Sequence, residues 1–435
     1  MSAARALRVA LLEAQHGRLE RPTRRALLAA GADIALVLRP SDPRSFGERA
    51  QALRDARPDL VLVPLADRGG ADELAGLSEP LRLGCAAQLP PPRALVVSSD
   101  DGAIARAATL LAPLPTDVLP DVRAERGLRL VVERMREMRG DEQLAPERAL
   151  ELLAARFAEA RGGPALVAGV GGDRTSLVRA APGEAALAVH ARPLGVGRAA
   201  DRVVARAGLE RVRRWIPWAV DQPTLLERVF NRARWPDAAS SGRETLALEI
   251  ALAHEALALA LADAAMAGLG TEMRSARHIL LTGRLAALPG PERSVLVAVD
   301  ALDPVEPATI ARDDGGRLAE LAASAIAGGE ASVLDEALLA LAAPLAAVLP
   351  VVTARRTVVR IGGREERVAR NAFFTVALPG PSEVSAPGMP PATVASGPLG
   401  LVVDARPRPL TLPLRDAERV PAVTRWYETL GALPA

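Results

Sequence analysis

Short apolar runs alternate with amphipathic segments along the first 125 residues. The runs are bounded by polar residues or Pro, and a segment such as 45–57 has the spacing of a helix. Apolar strands that alternate with helices are typical of a parallel sheet covered on both faces. The strands predicted in this way are Ile34–Leu38, Leu60–Val63 and Ala94–Val97. We therefore predict an α/β domain with a parallel sheet over residues 1–125.

The pattern of residues 126–345 predicts a second α/β domain with a helical insert. Helical spacing covers 126–160, 198–277 and 317–348. The apolar runs between the helices predict strands at Leu166–Val170, Ser176–Ala180, Ala185–Val189, Ile279–Gly283 and Val295–Val299. A Gly-Gly pair follows the first of these strands, which predicts a tight turn between two antiparallel strands.

Pro and Gly interrupt residues 346–435 more often than the rest of the chain. Apolar and charged residues alternate over 357–361 and 366–370, on either side of Gly362-Gly363, and this pattern predicts a β-hairpin. Further strands are predicted at 371–378 and 399–403, and a short final helix carries Trp426 and Tyr427. We predict a small β-rich C-terminal domain over residues 346–435.

The turn after Val170 is the segment most suggestive of chemistry. Glycine lets the backbone approach a ligand closely, and adjacent free N–H groups can bind an anion. The candidate phosphate-binding residues in this turn are Gly171, Gly172, Asp173 and Thr175. Gly-Gly pairs are also common in ordinary β-hairpins, which the spacing alone favours. Both interpretations are open at this point.

The charge balance and the absence of lysine exclude several classes of protein. The 435 residues include 54 basic and 52 acidic side chains, a net charge of +2, so we expect no nucleic-acid partner. Every basic residue is Arg, because the sequence contains no Lys. This excludes a Walker-type phosphate loop, a Schiff-base lysine and the lysine of protein kinases.

Cysteine and histidine are too few and too dispersed to predict a metal or redox centre. Cys85 is the only cysteine, and the four histidines lie in separate elements, so we assign the histidines structural roles. These histidines are His16, His190, His254 and His278. No Ser/His/Asp set or carboxylate pair has a usable spacing either.

We expect a cytoplasmic protein without a membrane partner. The N-terminus has no long apolar core of the kind found in signal peptides. The apolar stretch 250–267 carries His254, Glu255 and Asp263, which predicts a buried helix rather than a membrane span.

Several stretches, in consistent order over most of the chain, resemble the MutL/GlmL proteins that are linked to glutamate mutase and related cobalamin mutases. This MutL is unrelated to the mismatch-repair protein of that name. The matching runs are 23–32, 57–63, 166–176, 194–197, 213–217, 279–285 and 397–406. Each motif is weak alone, and the resemblance rests on their order.

The resemblance implies an actin-like ATPase fold with a ribonuclease-H-like α/β half, incomplete here, and a role as a reactivating chaperone. It makes 166–176 the second phosphate loop and 279–285 the adenosine-contacting turn, which adds Thr282 and Gly283 to the candidate site. ATP with Mg²⁺ is the cofactor that it implies, and a subunit of a cobalamin-dependent mutase is the implied partner.

The sequence differs from the family at positions where charged side chains would be needed for ATP hydrolysis. The family's first phosphate loop precedes the point at which this chain starts. We expect the loop to be missing, either through loss or because the start codon is misplaced. Gly169 and Ser176 stand where the second loop of the family has Asp, and Arg284 replaces a Gly of the adenosine turn. Phosphoryl transfer depends on charges held in position. We therefore expect no catalytic residue and no metal ligand, with Arg174 and Arg284 able to contact an anion, or Arg284 to fill the nucleotide cleft.

Three functional hypotheses are compatible with these observations. The first is a non-catalytic pseudo-ATPase that acts by protein binding, the second an ATP-binding or ATP-hydrolysing reactivase, and the third an unrelated small-molecule enzyme with a doubly wound sheet. The missing carboxylates favour the first over the second. The ordered motifs favour both over the third.

Overall fold

Strands and helices alternate throughout the first part of the chain. The computed structural model describes residues 6–14, 19–238, 240, 242–352 and 356–434, and only the backbone of 141–144. The chain divides into two units, one made mainly of residues up to 144 and the other mainly of residues from 145 onwards; residues 189–192 and 263–269 group with the first. His16 lies outside the described residues, so its expected structural role stays a prediction.

The first unit is built on a parallel sheet. Its elements are β1 (Arg8–Leu12), α1 (Glu20–Ala29), β2 (Asp33–Leu38), α2 (Phe46–Ala56), β3 (Leu60–Pro64), α3 (Arg68–Glu73), α4 (Ala75–Cys85), β4 (Arg93–Val97), α5 (Asp101–Leu111), β5 (Thr116–Leu119) and α6 (Glu125–Arg139). Within the described part of the chain the strands pair in parallel in the order β2-β1-β3-β4-β5. This is a doubly wound order, in which the winding reverses at β1.

Both faces of this sheet are buried, as the continuous apolar runs predicted. Successive residues of β3 enter different cores, since Leu60 and Leu62 belong to one cluster and Val61 and Val63 to the other. The three predicted strands are confirmed. The sequence analysis missed β1 and β5; β5 is a half-exposed strand that contains Thr and Asp, and its apolar pattern is correspondingly weak.

The second sheet holds the turn singled out above. The elements from residue 141 to 350 are α7 (Asp141–Arg161), β6 (Ala165–Val170), β7 (Thr175–Ala180), β8 (Leu187–Ala191), α8 (Ala200–Ala207), α9 (Leu209–Arg213), α10 (Gln222–Arg234), α11 (Arg243–Met266), α12 (Gly270–Arg274), β9 (His278–Thr282), α13 (Gly283–Ala286), α14 (Pro291–Leu302), β10 (Ala308–Arg312), a 3₁₀ turn (Asp314–Gly316), α15 (Arg317–Ile326), α16 (Ala331–Leu341) and β11 (Pro344–Pro350). The α/β fold class is therefore confirmed.

The remaining elements complete the second sheet and add a smaller one. They are β12 (Arg356–Ile361), β13 (Arg364–Ala369), β14 (Phe373–Val376), β15 (Ser382–Ser385), β16 (Ala392–Val394), β17 (Leu401–Asp404) and α17 (Asp416–Leu430). Over the described residues the large sheet has the order β14-β17-β11-β10-β9-β6-β7-β8, and the small sheet has the order β13-β12-β15-β16. Strand β6 is antiparallel to β7 and parallel to β9, and β9 is parallel to β10.

Two predicted elements in this region were wrong. Val295–Val299, predicted as a strand, lies inside α14, whose residues from Ser294 to Leu302 are all buried. A helix that is buried all round has the same continuous apolar run as a buried strand. The helical range 317–348 also ends too late, because α16 ends at Leu341 and β11 begins at Pro344.

The strands predicted near the C-terminus are confirmed, including the hairpin at Gly362-Gly363, where both glycines have positive φ. However, β14 and β17 pair with β11 and so continue the large sheet, while β12 and β13 belong to the small one. One core of aliphatic side chains contains residues of both sheets. The domain boundaries at 125/126 and 345/346 stay predictions.

Among the described helices, α11 alone is long and apolar enough to cross a membrane by length and composition. In the structure, 72% of its most apolar 18-residue window is buried. The core of a folded domain gives a helix of this kind, as the sequence predicted.

We expect acid to destabilise the second unit through His278. Burial, reinforced by Arg161 and Arg277, lowers the pKa of this side chain to about 4, below its ordinary value of 6.5. The unfolded chain therefore binds the proton more tightly, and stability present above pH 6.5 is lost as the pH falls towards 4. Because the ring is half-buried, we expect a loss of about 1–2 kcal/mol. Urea unfolding of His278→Gln between pH 7 and 4.5 should show a shallower decline; a profile identical to that of the unaltered protein would contradict this.

Candidate functional site

A cleft lies at the carboxyl ends of β6 and β9. Such ends are where open α/β sheets bind ligands. The cleft has a volume of about 310 Å³, at the small end of the range for ligand sites. Its lining residues come from α7, the β6–β7 hairpin, the start of α13 and α15, and they are Ala145, Pro146, Ala149, Leu150, Gly169, Val170, Gly171, Arg174, Ser176, Thr282, Gly283, Ala319, Glu320 and Ala323.

The turn between β6 and β7 is a closed hairpin. Val170 pairs with Thr175, and the N–H of Gly171 donates to the carbonyl of Arg174 over 2.8 Å. The hydroxyl of Thr175 is fully buried and donates to the carbonyl of Leu194 over 2.9 Å. Of the groups expected to cradle a phosphate, the Gly171 N–H and the Thr175 hydroxyl are therefore bound within the protein.

The segment that follows β8 packs against the backbone of this turn. Leu194 donates its N–H to the carbonyl of Asp173 over 3.0 Å, and Val196 donates to that of Gly171 over 3.0 Å. A Cβ atom at Gly195 would lie 2.6 Å from the Gly171 carbonyl oxygen and 2.7 Å from the Asp173 nitrogen. At Gly195 the backbone therefore approaches the turn itself closely.

We expect Gly195→Ala to lower the free energy of unfolding by about 1–3 kcal/mol, because the added methyl group meets backbone atoms that cannot move aside without shifting the turn. Gly76→Ala is the matched control. A Cβ at Gly76, inside α4, meets nothing within 4 Å, so this change should be neutral or slightly stabilising. Chemical denaturation of both variants measures the difference, and equal effects would contradict the packing described.

The second turn, at Thr282 and Gly283, lies directly beside the first. Gly283 has a φ of 65° and forms a bridge to Val170, and a Cβ atom there would lie 2.7 Å from the Val170 carbonyl oxygen. The two glycine turns that the resemblance paired therefore share one cleft.

Asp313, at the end of β10, is a residue that the sequence analysis missed. Its carboxylate accepts the hydroxyl of Thr282 over 3.1 Å and the backbone N–H groups of Leu318 and Ala319 at the start of α15. Burial raises the pKa of Asp313, although each of these three hydrogen bonds acts to lower it. An Asp directly after an apolar strand and shortly before a helix was the available signal. The carboxylate caps α15 and so satisfies the helix end that would otherwise attract an anion.

Charge in the cleft comes from Arg174 and Glu320. Arg174 lies 3.7 Å from the fully buried carboxylate of Glu147, while Glu320 is exposed. Arg284, expected to contact an anion or fill the cleft, instead donates to the carbonyl of Pro236 over 2.5 Å and is not among the lining residues. The one cation that lines the cleft, Arg174, is therefore already in an ion pair, with Glu147.

The structure brings together part of the candidate site. Gly171, Thr282 and Gly283 line the cleft, whereas Gly172, Asp173 and Thr175 do not. Gly172 instead accepts, at its carbonyl, the N–H groups of Gly197 and Ala199. Among the described residues, no group of three or more His, Cys, Asp or Glu side chains could hold a metal ion.

A comparison with models of known protein families found no match, and a comparison with curated proteins found none either. The MutL/GlmL resemblance therefore stays a prediction that rests on the order of its motifs.

Proposed function

We propose that this protein is a non-catalytic relative of the MutL/GlmL chaperones and acts by binding a partner protein, a subunit of a cobalamin-dependent mutase. The proposal includes an actin-like ATPase fold whose ribonuclease-H-like half spans 126–345. The order β8-β7-β6-β9-β10 supports this half, since a hairpin and its neighbour are followed by two strands parallel to β6, with helices between.

The observation that carries the proposal is the pair of positions 169 and 176. They are cross-strand partners at the end of the β6–β7 hairpin, and both line the cleft. These are the positions at which the family is expected to carry the carboxylates that orient Mg²⁺ and water, and here they are Gly169 and Ser176. A Cβ atom at Gly169 would lie 2.9 Å from the Thr282 methyl group, so a carboxylate there also needs space that Thr282 fills. The residues present do not fit Mg-ATP hydrolysis.

A second candidate is nucleotide binding without turnover. It is favoured by one observation, which is that Gly171, Gly283 and Arg174 line the same cleft of about 310 Å³. Arginine suits a phosphate group. Bonds already made by the turn limit such binding, because the Gly171 N–H and the Thr175 hydroxyl would have to exchange a partner within the protein for the ligand.

The proposal is tested by capture of mutase subunits from the same organism on the immobilised full chain. We expect capture of a cobalamin-dependent mutase subunit at micromolar concentration, and the same capture with and without Mg-ATP, because no turnover drives it. An immobilised protein of unrelated fold and similar charge serves as the control. Absence of capture, or capture that strictly requires ATP hydrolysis, would contradict the proposal.

A further inference from the structure

The outer face of α10 carries large apolar side chains in solvent. Leu226, Phe230 and Arg234 follow one another at intervals of four residues and so form one stripe along the helix, and Trp235 lies at its end. Phe230 is 55% exposed, Trp235 63% and Leu226 37%. The chain has only five Phe, four Trp and one Tyr, so this helix exposes two of its ten aromatic residues.

The opposite face of α10 is fixed in the protein. Leu225 and Val229 are buried, and Arg232 forms a 3.0 Å ion pair with Glu249. Asp221 caps the first turn by accepting the N–H of Thr224 over 2.9 Å. The helix is therefore held by its inner side, and Leu226, Phe230, Arg234 and Trp235 are exposed to solvent. We call these four residues the α10 stripe.

Near the C-terminal end of the α10 stripe, two Arg side chains lack a carboxylate partner among the described residues. The exposed Asp237 beside them pairs with Arg284 at 3.4 Å, and the exposed Glu227 lies nearer the other end of the helix. Arg234 lies over the Trp235 ring at 5.8 Å from the ring centre, and it has no carboxylate partner among the described residues. Arg198 is exposed and equally without a carboxylate partner in the part of the chain that the structure describes. Its neighbour Gly197 packs near Pro236, since a Cβ there would lie 3.3 Å from the Pro236 side chain, which places Arg198 close to the stripe.

We infer that the α10 stripe binds an acidic amphipathic helix of a partner protein. Aromatic and Arg side chains dominate the binding energy of protein interfaces. A second helix supplies apolar residues at the same three- and four-residue spacing, and its flanking Asp or Glu residues would pair with Arg198 and Arg234. A partner helix with acidic residues at one end would meet these two Arg side chains there. The inference rests on the proposed protein-binding function and specifies its partner surface.

The test uses two labelled helical peptides that share one Leu stripe and differ only in flanking Glu or Lys. Fluorescence anisotropy should show that the Glu peptide binds the full chain at least about tenfold more tightly. Trp235→Ala should weaken the Glu peptide by about tenfold or more, and Arg234→Glu should remove most of its preference. Leu339→Ala removes an equally apolar side chain, 71% exposed on α16, and should leave binding unchanged.

Several results would overturn the inference. These are equal binding of the two peptides, an effect of Leu339→Ala as large as that of Trp235→Ala, or a dimer in sedimentation that Phe230→Glu converts to a monomer, since a second copy would then occupy the stripe. Capture of the mutase subunit distinguishes this inference from the proposed function. If the Trp235→Ala variant captures as much mutase subunit as the unaltered chain, the inference about the α10 stripe is wrong and the proposed function stands. Failure of capture by the unaltered chain overturns the proposed function, and the peptide comparison still decides the stripe.

Discussion

Replacing Arg406 by Met should lower the free energy of unfolding by about 3–5 kcal/mol, because it leaves the buried carboxylate of Asp300 without its ion-pair partner and that of Asp404 with Arg408 alone. The guanidinium donates to Asp300 over 2.5 Å and, through Nε and Nη2, to both oxygens of Asp404 over 2.8 Å. It also contacts the rings of Phe373 and Trp426, at 3.8 and 4.6 Å from the ring centres. One side chain thus joins α14, β14, β17 and α17.

Arg406 and Arg408 stabilise the charged form of Asp404, whereas burial keeps the pKa of Asp300 above its ordinary value despite the nearby Arg406. Burial alone would raise the pKa of Asp404, but Arg406 and Arg408 outweigh it and hold the pKa below its ordinary value. The carboxylate therefore stays ionised and needs its partners.

Arg360→Met is the matched control for Arg406→Met. Arg360 is 70% exposed and pairs with Glu365 at 3.4 Å, so its loss should cost less than about 1 kcal/mol. Urea unfolding followed by circular dichroism measures both variants. A loss for Arg406→Met as small as that of the control would contradict the role assigned to the cluster.

Glu255→Leu should lower the free energy of unfolding by about 2–4 kcal/mol, since several donors lose a common acceptor. The carboxylate is fully buried and accepts the indole N–H of Trp215 over 2.8 Å and the guanidinium of Arg214 over 2.9 Å. Arg211 pairs with its other oxygen at 3.1 Å, but it is 48% exposed and can turn to water. This is why the expected loss is smaller than that for Arg406.

A change in tryptophan fluorescence should accompany the loss of Glu255, because Trp215 stacks on His254 with ring centres 4.1 Å apart and an angle of 5°. Burial, with Arg214 and Arg406 nearby, holds the pKa of His254 well below its ordinary value, so this ring is neutral. Glu210→Leu removes a carboxylate that is 54% exposed and pairs with Arg213 at 2.9 Å; it should have little effect. Equal losses for the two variants would rule out the role given to Glu255.

Local sequence patterns predicted much of the fold, because the spacing of apolar residues along a helix or strand reflects which of its faces is buried. The hairpin at Gly171-Gly172 and the strand ending at Thr282 were predicted correctly, since turn residues follow short apolar runs at both places. The prediction of a strand at Val295–Val299 was wrong, because a helix that is buried on all sides has no alternation of apolar and polar residues with the helical period. Pro291 stands at the first position of α14, where Pro favours the start of a helix, and this signal should have been preferred to the apolar run.

The candidate site could be located but not described from the sequence. The order of the motifs correctly placed Gly171 and Gly283 in one candidate site, and both line the cleft. It did not predict the hydrogen bond from Thr175 to Leu194, which joins residues 19 positions apart. The bond between Arg406 and Asp300 spans 106 residues. Such long-range partners depend on the assembled sheet, and no local spacing encodes them. The same reason hides Asp313, whose contact with Thr282 requires β9 and β10 to be neighbours.

Turnover of Mg-ATP by the purified full chain is the most direct test of the proposal that this protein does not hydrolyse ATP. Loss of one positioned electrostatic group typically costs roughly 10²–10³ in rate, and here both expected carboxylate positions, Gly169 and Ser176, lack one. We therefore predict phosphate release at the background rate, unchanged in Thr175→Ala. Turnover clearly above background that disappears in Thr175→Ala would contradict the account.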